Sequence, residues 1–259
     1  MHKKPEIPTE RFSQTVQNYI KYRPSYPKEV VEVLIDECGL TKASIIADVG
    51  SGTGILSKLL LDHGNTVYGV EPNHAMRTAA EAYLKSYAHF HSISGTAEAT
   101  SLSSHSVDII TAGTAFHWFD ADKTKIEFKR ILKARGWVLL VWNVRNTECS
   151  SLLHEYENLI LKYGTDYAES RASKFDKTVL EEKFFAPFAM KMQSFKNSQQ
   201  FDWEGLQGRL LSTSYSLRTG EPGYEYMLSE LRKIFDRYAQ NGKVDFLYDT
   251  KLYYGKLSR

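Results

Sequence analysis

Two carboxylates and three glycines stand at a spacing that suits a nucleotide-like ligand. The run Asp48-Val49-Gly50-Ser51-Gly52-Thr53-Gly54 follows an apolar stretch and precedes Ile55, Leu59 and Leu60 at helical spacing. A strand that enters a glycine turn and leaves as a helix brings backbone close to a ligand, because glycine turns sharply and carries no Cβ to clash. The dinucleotide version of this turn reads Gly-x-Gly-x-x-Gly and holds a pyrophosphate on backbone amides. Here the third glycine is Gly54 and position 55 is isoleucine. Asp48 stands just before the loop, where its charge would repel a pyrophosphate. It suits a ligand with no phosphate and a positive ammonium group. Glu71 ends the next apolar stretch, 19 residues after Gly52. An acid about 20 residues on takes ribose hydroxyls, and one carboxylate can accept from both.

Other residues of chemical interest flank this loop. His117 follows the fourth apolar stretch. A near-neutral imidazole there could take a proton from a hydroxyl or amine nucleophile. Set between Phe116 and Trp118, it reads equally as a packed pocket wall. Tyr19, Tyr22 and Tyr26 could close over a cation, since aromatic faces attract positive charge. Their alternative is to pack the first helix. Arg23 could pair an acidic group of a ligand, cap a helix end or meet a surface acid. His63, His74, His89, His91 and His105 are scattered, and no metal site is expected from them. The two cysteines, Cys38 and Cys149, form no Cys-x-x-Cys motif.

The elements that must position these groups alternate. Val30, Leu34 and Cys38 recur at helical spacing before Gly39. Strands are expected at Ser44 to Val49, Thr66 to Glu71, His89 to Ser94, Val107 to Ala112 and Trp137 to Val144. Helices are expected between them, one capped by Asn73 and running to about Tyr87, another from about Asp122 to Ala134. Short apolar strands alternating with helices argue for a parallel sheet covered on both faces. Right-handed crossovers put every strand's C-terminal end on one edge, where ligands bind. After Arg145 no strand alternation is evident. Leu152, Tyr156, Leu159, Ile160 and Tyr163 suggest a helix, and Asp202 is expected to cap another through Leu211. Pro222 suits a helix start and Gly242 its stop, and two antiparallel strands are expected at Val244 to Tyr248 and Lys251 to Leu257. The expected fold is an α/β, Rossmann-like, seven-stranded and mostly parallel sheet with helices on both faces. Residues 1–144 and 221–259 form its main domain, and residues 145–220 a helical cap.

These motifs resemble those of class I methyltransferases of the type 11 group. Asp48 to Gly54 looks like their first motif and Glu71 like their ribose-binding acid. Gly95-Thr96-Ala97-Glu98-Ala99 resembles the loop beside the adenine, Thr111 to Phe119 the segment after the fourth strand, and Tyr19 to Pro27 the opening motif. The likeness covers about residues 12–144 and extends to small-molecule members such as trans-aconitate methyltransferases. It implies S-adenosylmethionine as cofactor and S-adenosylhomocysteine as product. That ligand carries adenosine, a sulfonium and a zwitterionic methionine, and so meets both carboxylates. The implied cofactor-binding residues are Asp48, Gly50, Ser51, Gly52, Gly54, Glu71, Pro72, Met76, Thr96, Ala97, Glu98, Thr114, Tyr19 and Arg23, with His117 as the catalytic candidate.

Composition narrows the partners. Thirty-three basic against 31 acidic residues give a net charge of +2, with the signs interspersed. Nucleic-acid binders carry basic blocks or a basic excess, so a small-molecule substrate is expected instead. The longest apolar runs are too short to span a bilayer. Few thiols and a polar N-terminus predict a cytoplasmic protein, monomeric or homodimeric. Two other functions fit less well. A nicotinamide oxidoreductase conflicts with Asp48. A regulatory protein of the same fold that binds the cofactor without turnover stays open as the alternative, while a version that no longer binds it conflicts with Asp48, the three glycines and Glu71.

Overall fold

The computed structural model describes residues 16–165, Tyr167 and residues 177–258. The polar opening, residues 1–15, and most of the stretch from 166 to 176 lie outside the described residues. Helices α1 (Val16–Tyr22) and α2 (Glu29–Cys38) lead into strand β1 (Ile45–Val49). Then α3 (Ile55–Asp62), β2 (Thr66–Val70), α4 (His74–Tyr83), β3 (Phe90–Ile93), β4 (Val107–Gly113), α5 (Ala121–Ile131) and β5 (Leu132–Arg145) follow. Asn73 caps α4 by accepting from the Met76 amide, as its residue type predicts.

The sheet has seven strands, ordered β3-β2-β1-β4-β5-β7-β6. The first five are parallel; β7 (Val244–Gly255) runs antiparallel to both β5 and β6 (Met190–Phe201). Alternate residues of the central strands feed two cores. Ile46, Ile109 and Leu139 pack with Val30 and Leu34 of α2 and Leu60 of α3 on one face. Ala47, Ile110 and Leu140 pack with Phe128 of α5 and Phe184 on the other. The period-two pleat therefore produces the doubly covered sheet.

A third core lies beyond the main sheet. Pairing between β5 and β7 ends at Arg145↔Tyr248, but β7 continues to Val244 beside Phe201 of β6. This two-stranded extension projects past the C-terminal ends of the parallel strands. Helices α6 (Ser151–Tyr163), α7 (Trp203–Leu211) and α8 (Tyr224–Tyr238) cover it, burying Leu153, Ile160, Leu206, Leu231 and Phe246. Asp202 caps α7 through the Gly205 amide.

Two expectations need correction. The stretch 145–220 was read without a strand, yet it contains β6 and a π-helical turn, Val179–Phe185. The inward side of β6 carries Gln193, Asn197 and Gln199, which hydrogen-bond to Tyr254, Ser25 and Tyr248. Polar residues on the buried side erase the apolar alternation that marks a strand. The two expected C-terminal strands are one. The polar pair that suggested a break, Asp249 and Thr250, is satisfied within the sheet by Asn146 and Lys196, and by Asn143.

Candidate active site

The glycine loop turns at the C-terminal end of β1, where β1 lies between β2 and β4. Gly50, Gly52 and Gly54 all have positive φ. At Gly52, with φ of 56°, an added Cβ would meet nothing within 4 Å. The backbone there is bare toward open space, which is what close approach of a ligand requires. The loop is tied down by Gly50 and Ser51 amides donating to Val70 O, at 2.8 and 3.2 Å.

Both carboxylates are buried beside it. Asp48 accepts from Ser57 Oγ at 2.6 Å and Thr111 Oγ1 at 3.1 Å. Burial pushes its carboxyl up to about 6, against the pull of those hydroxyls. Glu71 accepts from the Gly52 amide at 2.9 Å and from the Asn73 amide at 2.8 Å. Burial raises its carboxyl too, opposed by the two amides. Each Glu71 oxygen keeps a lone pair for another donor.

A cleft opens over the loop. Of the sequence-nominated residues, Tyr19, Arg23, Asp48, Gly50, Ser51, Gly52 and Thr114 line it. Thr114 is held at φ of 53°, an unusual conformation for a β-branched residue. Its hydroxyl meets Tyr26 Oη at 3.1 Å. Strained backbone of this kind concentrates at functional sites.

The other nominated residues, Glu71 included, are not part of the cleft lining. Gly54 begins α3. Pro72 O accepts from Arg77, and Met76 is buried in α4. Thr96 and Ala99 close a tight turn after β3, Ala97 joins the core, and Glu98 accepts from the Asp120 amide. His117 lies in a single 3₁₀ turn, Phe116–Trp118, its ring 4.9 Å from that of Trp118. It is not part of the cleft lining. Among the described residues no cluster of His, Cys, Asp or Glu could hold a metal, and no helix is long and apolar enough to cross a membrane.

The sequence reading missed Arg209, which reaches the cleft from α7. The signal was there: an arginine one residue before Leu210 and three after Leu206, on the apolar side of a helix. Gly208 explains how it meets Arg23. A Cβ at that position would stand 2.0 Å from the Tyr22 ring, so glycine lets α1 press directly on α7.

Comparison with known proteins agrees with this geometry. Residues 47–140 match the methyltransferase domain family. An uncharacterized methyltransferase of Schizosaccharomyces pombe is 26% identical over 252 residues, covering 93% of this chain and 95% of the relative. Over residues 47–140 the chain is similar to methyltransferases of the type 11 group. One from Mycobacterium bovis, also uncharacterized, is 34% identical over 135 residues, about half the length of either chain. A solved structure from Anaeromyxobacter dehalogenans, assigned as a type II methyltransferase, superposes with a TM-score of 0.62 at 19% identity, over 92% of this chain and 99% of that chain. A phosphoethanolamine N-methyltransferase of Haemonchus contortus, solved with phosphomonomethylethanolamine and S-adenosylhomocysteine, has a TM-score of 0.52 at 14% identity. That alignment covers 97% of this chain and 58% of the nematode enzyme. At such identities the two structures speak for the fold.

Proposed function

We propose that this enzyme transfers the methyl group of S-adenosylmethionine to a small-molecule acceptor in the cleft. One observation carries the reading: the buried Glu71 accepts from the amide of Gly52, whose Cα faces open space, and Asp48 lines the cleft beside the loop. Glu71 takes the ribose hydroxyls, and Asp48 attracts the methionine ammonium. Pro72, Met76 and the Thr96–Glu98 turn surround the adenine. Arg23 takes the methionine carboxylate, while Tyr19 and Thr114 stand near the sulfonium. The same fold accommodates S-adenosylhomocysteine in the nematode enzyme.

The sulfonium makes the methyl group electrophilic when bound. The protein's own task is to align a nucleophile and keep water out. Alignment alone can remove about 7–11 kcal/mol of a barrier. Helices α6, α7 and α8 cap the site in this reading, and His117 serves as a base or a wall according to the acceptor. Two unpaired cysteines suit a reducing compartment, so the cytoplasm is the proposed location.

Thermal unfolding with S-adenosylmethionine, S-adenosylhomocysteine and NAD, each added separately, tests the cofactor. Ligand at about 100 times its dissociation constant adds roughly 2.7 kcal/mol. That is a rise of roughly 5–10 °C for the two adenosyl-sulfur ligands, with none for NAD. In Glu71→Ala the rise should vanish. No rise in wild type at millimolar ligand would sink the assignment.

Gly52→Ala separates strain from ligand contact. The positive φ should cost the ligand-free protein about 1 kcal/mol, a few degrees of melting temperature. The methyl group points into open space, so S-adenosylhomocysteine affinity should fall by tenfold or more, roughly 1.4 kcal/mol. Equal affinity in the variant, measured by calorimetry, would place the ligand elsewhere.

A further inference from the structure

The cleft holds more positive charge than the cofactor's single carboxylate accounts for. Arg209 is 3% exposed yet lines the cleft. Its Nε donates to Tyr248 Oη at 3.1 Å and its Nη1 reaches Ser212 Oγ at 3.5 Å. That leaves Nη2 without an acceptor among the described residues. Arg23 stands beside it, sharing Ser212: its Nη2 donates to Ser212 O at 3.0 Å, and its buried Nε has no partner among the described residues. Burial and then Arg209 push the Arg23 guanidinium below its ordinary range. Among the described residues neither arginine meets a carboxylate.

Arg145 shows what this fold does with a buried arginine it means to neutralise. Its guanidinium is 2.7 Å from Glu157 and also bonds to Tyr167 and Tyr215. A buried cation without such a partner is unfavourable unless a ligand completes it. Tyr156 supplies an independent sign. Its hydroxyl is fully buried and has no hydrogen-bond partner among the described residues. It lies near Arg209, because both pack on one ring: Tyr156 is 5.0 Å from Phe246 and the Arg209 guanidinium 5.5 Å. The Arg209 charge also acts on the Tyr156 hydroxyl. Tyr156 is not part of the cleft lining, but two nearby donors that lack an acceptor among the described residues suit one oxyanion reached through Arg209.

We propose that Arg209, assisted by the Tyr156 hydroxyl, binds an oxyanion carried by the methyl acceptor. This rests on the proposed function in one respect: Arg23 is engaged by the cofactor's carboxylate, so Arg209 faces the second anion. The acceptor is then a small organic acid, with a carboxylate or a phosphate as the group recognised. A neutral phenol or amine of the same shape would leave both donors unpaired and bind poorly.

The test uses protein saturated with S-adenosylhomocysteine and reads melting temperature and calorimetric affinity. The probes are benzoate, succinate and inorganic phosphate, with benzamide as the neutral control. Expected is a saturable rise with at least one oxyanion and none with benzamide; response to the carboxylates or to phosphate identifies the group. Arg209→Met should weaken that binding at least about tenfold, with Arg209→Lys intermediate because it keeps charge but loses the fork. Tyr156→Phe guards against a folding artefact. Removing an unpaired buried hydroxyl should leave the ligand-free melting temperature unchanged or higher, while oxyanion affinity falls. S-adenosylhomocysteine affinity should persist in Tyr156→Phe and Arg209→Lys. No oxyanion response in a wild type that does bind S-adenosylhomocysteine overturns this inference and leaves the cofactor assignment standing. An equal response in wild type and Arg209→Met also overturns it. Failure of S-adenosylhomocysteine to bind wild type would instead remove the proposed function.

Discussion

Asp48→Asn is expected to make the ligand-free protein more stable at pH 7.5 and a worse binder of S-adenosylhomocysteine. The stability half follows from burial. Asp48 is completely inaccessible, and its carboxyl is pushed from an ordinary 3.8 up to about 6. Between about pH 4 and pH 6 the folded chain holds a proton there that the unfolded chain has released. Stability therefore falls as pH rises through that window, and above it the charged carboxylate costs about 3 kcal/mol. Asparagine removes that cost while keeping the contacts, because Ser57 and Thr111 hydroxyls can accept as well as donate. The melting temperature should rise by roughly 5–10 °C at pH 7.5, and the difference should close toward pH 4, where wild type is neutral too. The binding half follows from charge. Losing an ionised partner for the ammonium should weaken affinity by about 1.5–3 kcal/mol, or tenfold to a hundredfold. Wild-type affinity should also fall below pH 6, as the carboxylate protonates. Thermal scans and calorimetry across pH check both halves. A variant that is less stable at every pH would make Asp48 a structural anion rather than a residue kept for its ligand.

The parts of the fold that were legible were those with a period. The strands β1, β2, β4 and β5 show as apolar runs because both faces are buried, and Asn73 and Asp202 mark helix starts by their own side chains. The glycine loop and its two acids could be read because geometry restricts those positions to few residue types. Where buried groups are polar, periodicity fails. The inner side of β6 is amide-rich, and the centre of β7 carries Asp249 and Thr250, so one strand was missed and another divided. Arg209 was missed as well. The spacing of Arg209 to Leu206 and Leu210 marks it as buried, but only the approach of α1 at Gly208 shows what it faces. The glycine-loop side of the cleft is thus written in local motifs, while the Arg209 side depends on contacts between distant elements.

Glu157→Ala should be among the most destabilising single substitutions outside the sheet. Arg145 leaves the end of β5 and reaches Glu157 in α6, with Nη2 at 2.7 Å and Nε at 3.1 Å from the same oxygen. The side chains are 13% and 8% exposed, so water cannot replace the lost partner. The Tyr167 hydroxyl also donates to Glu157, and its ring lies 4.5 Å from Tyr215, so one cluster joins the parallel sheet to the layer above the cleft. Removing one member of a buried pair costs about 3–5 kcal/mol, because the other charge stays behind unpaired. The melting temperature should drop by roughly 10 °C or more. Glu157→Gln should be milder, since its amide oxygen still accepts. The double variant Arg145→Met with Glu157→Leu separates pairing from packing. If the penalty lies in the abandoned charge, removing both charges should restore most of the stability. A loss under about 1 kcal/mol in Glu157→Ala would mean the pair behaves like a solvated surface bridge. The substitution should also disturb the site without touching it. Arg145 already acts on Arg209 with the same sign of charge. Freed from Glu157, it would add to the uncompensated positive charge beside the cleft.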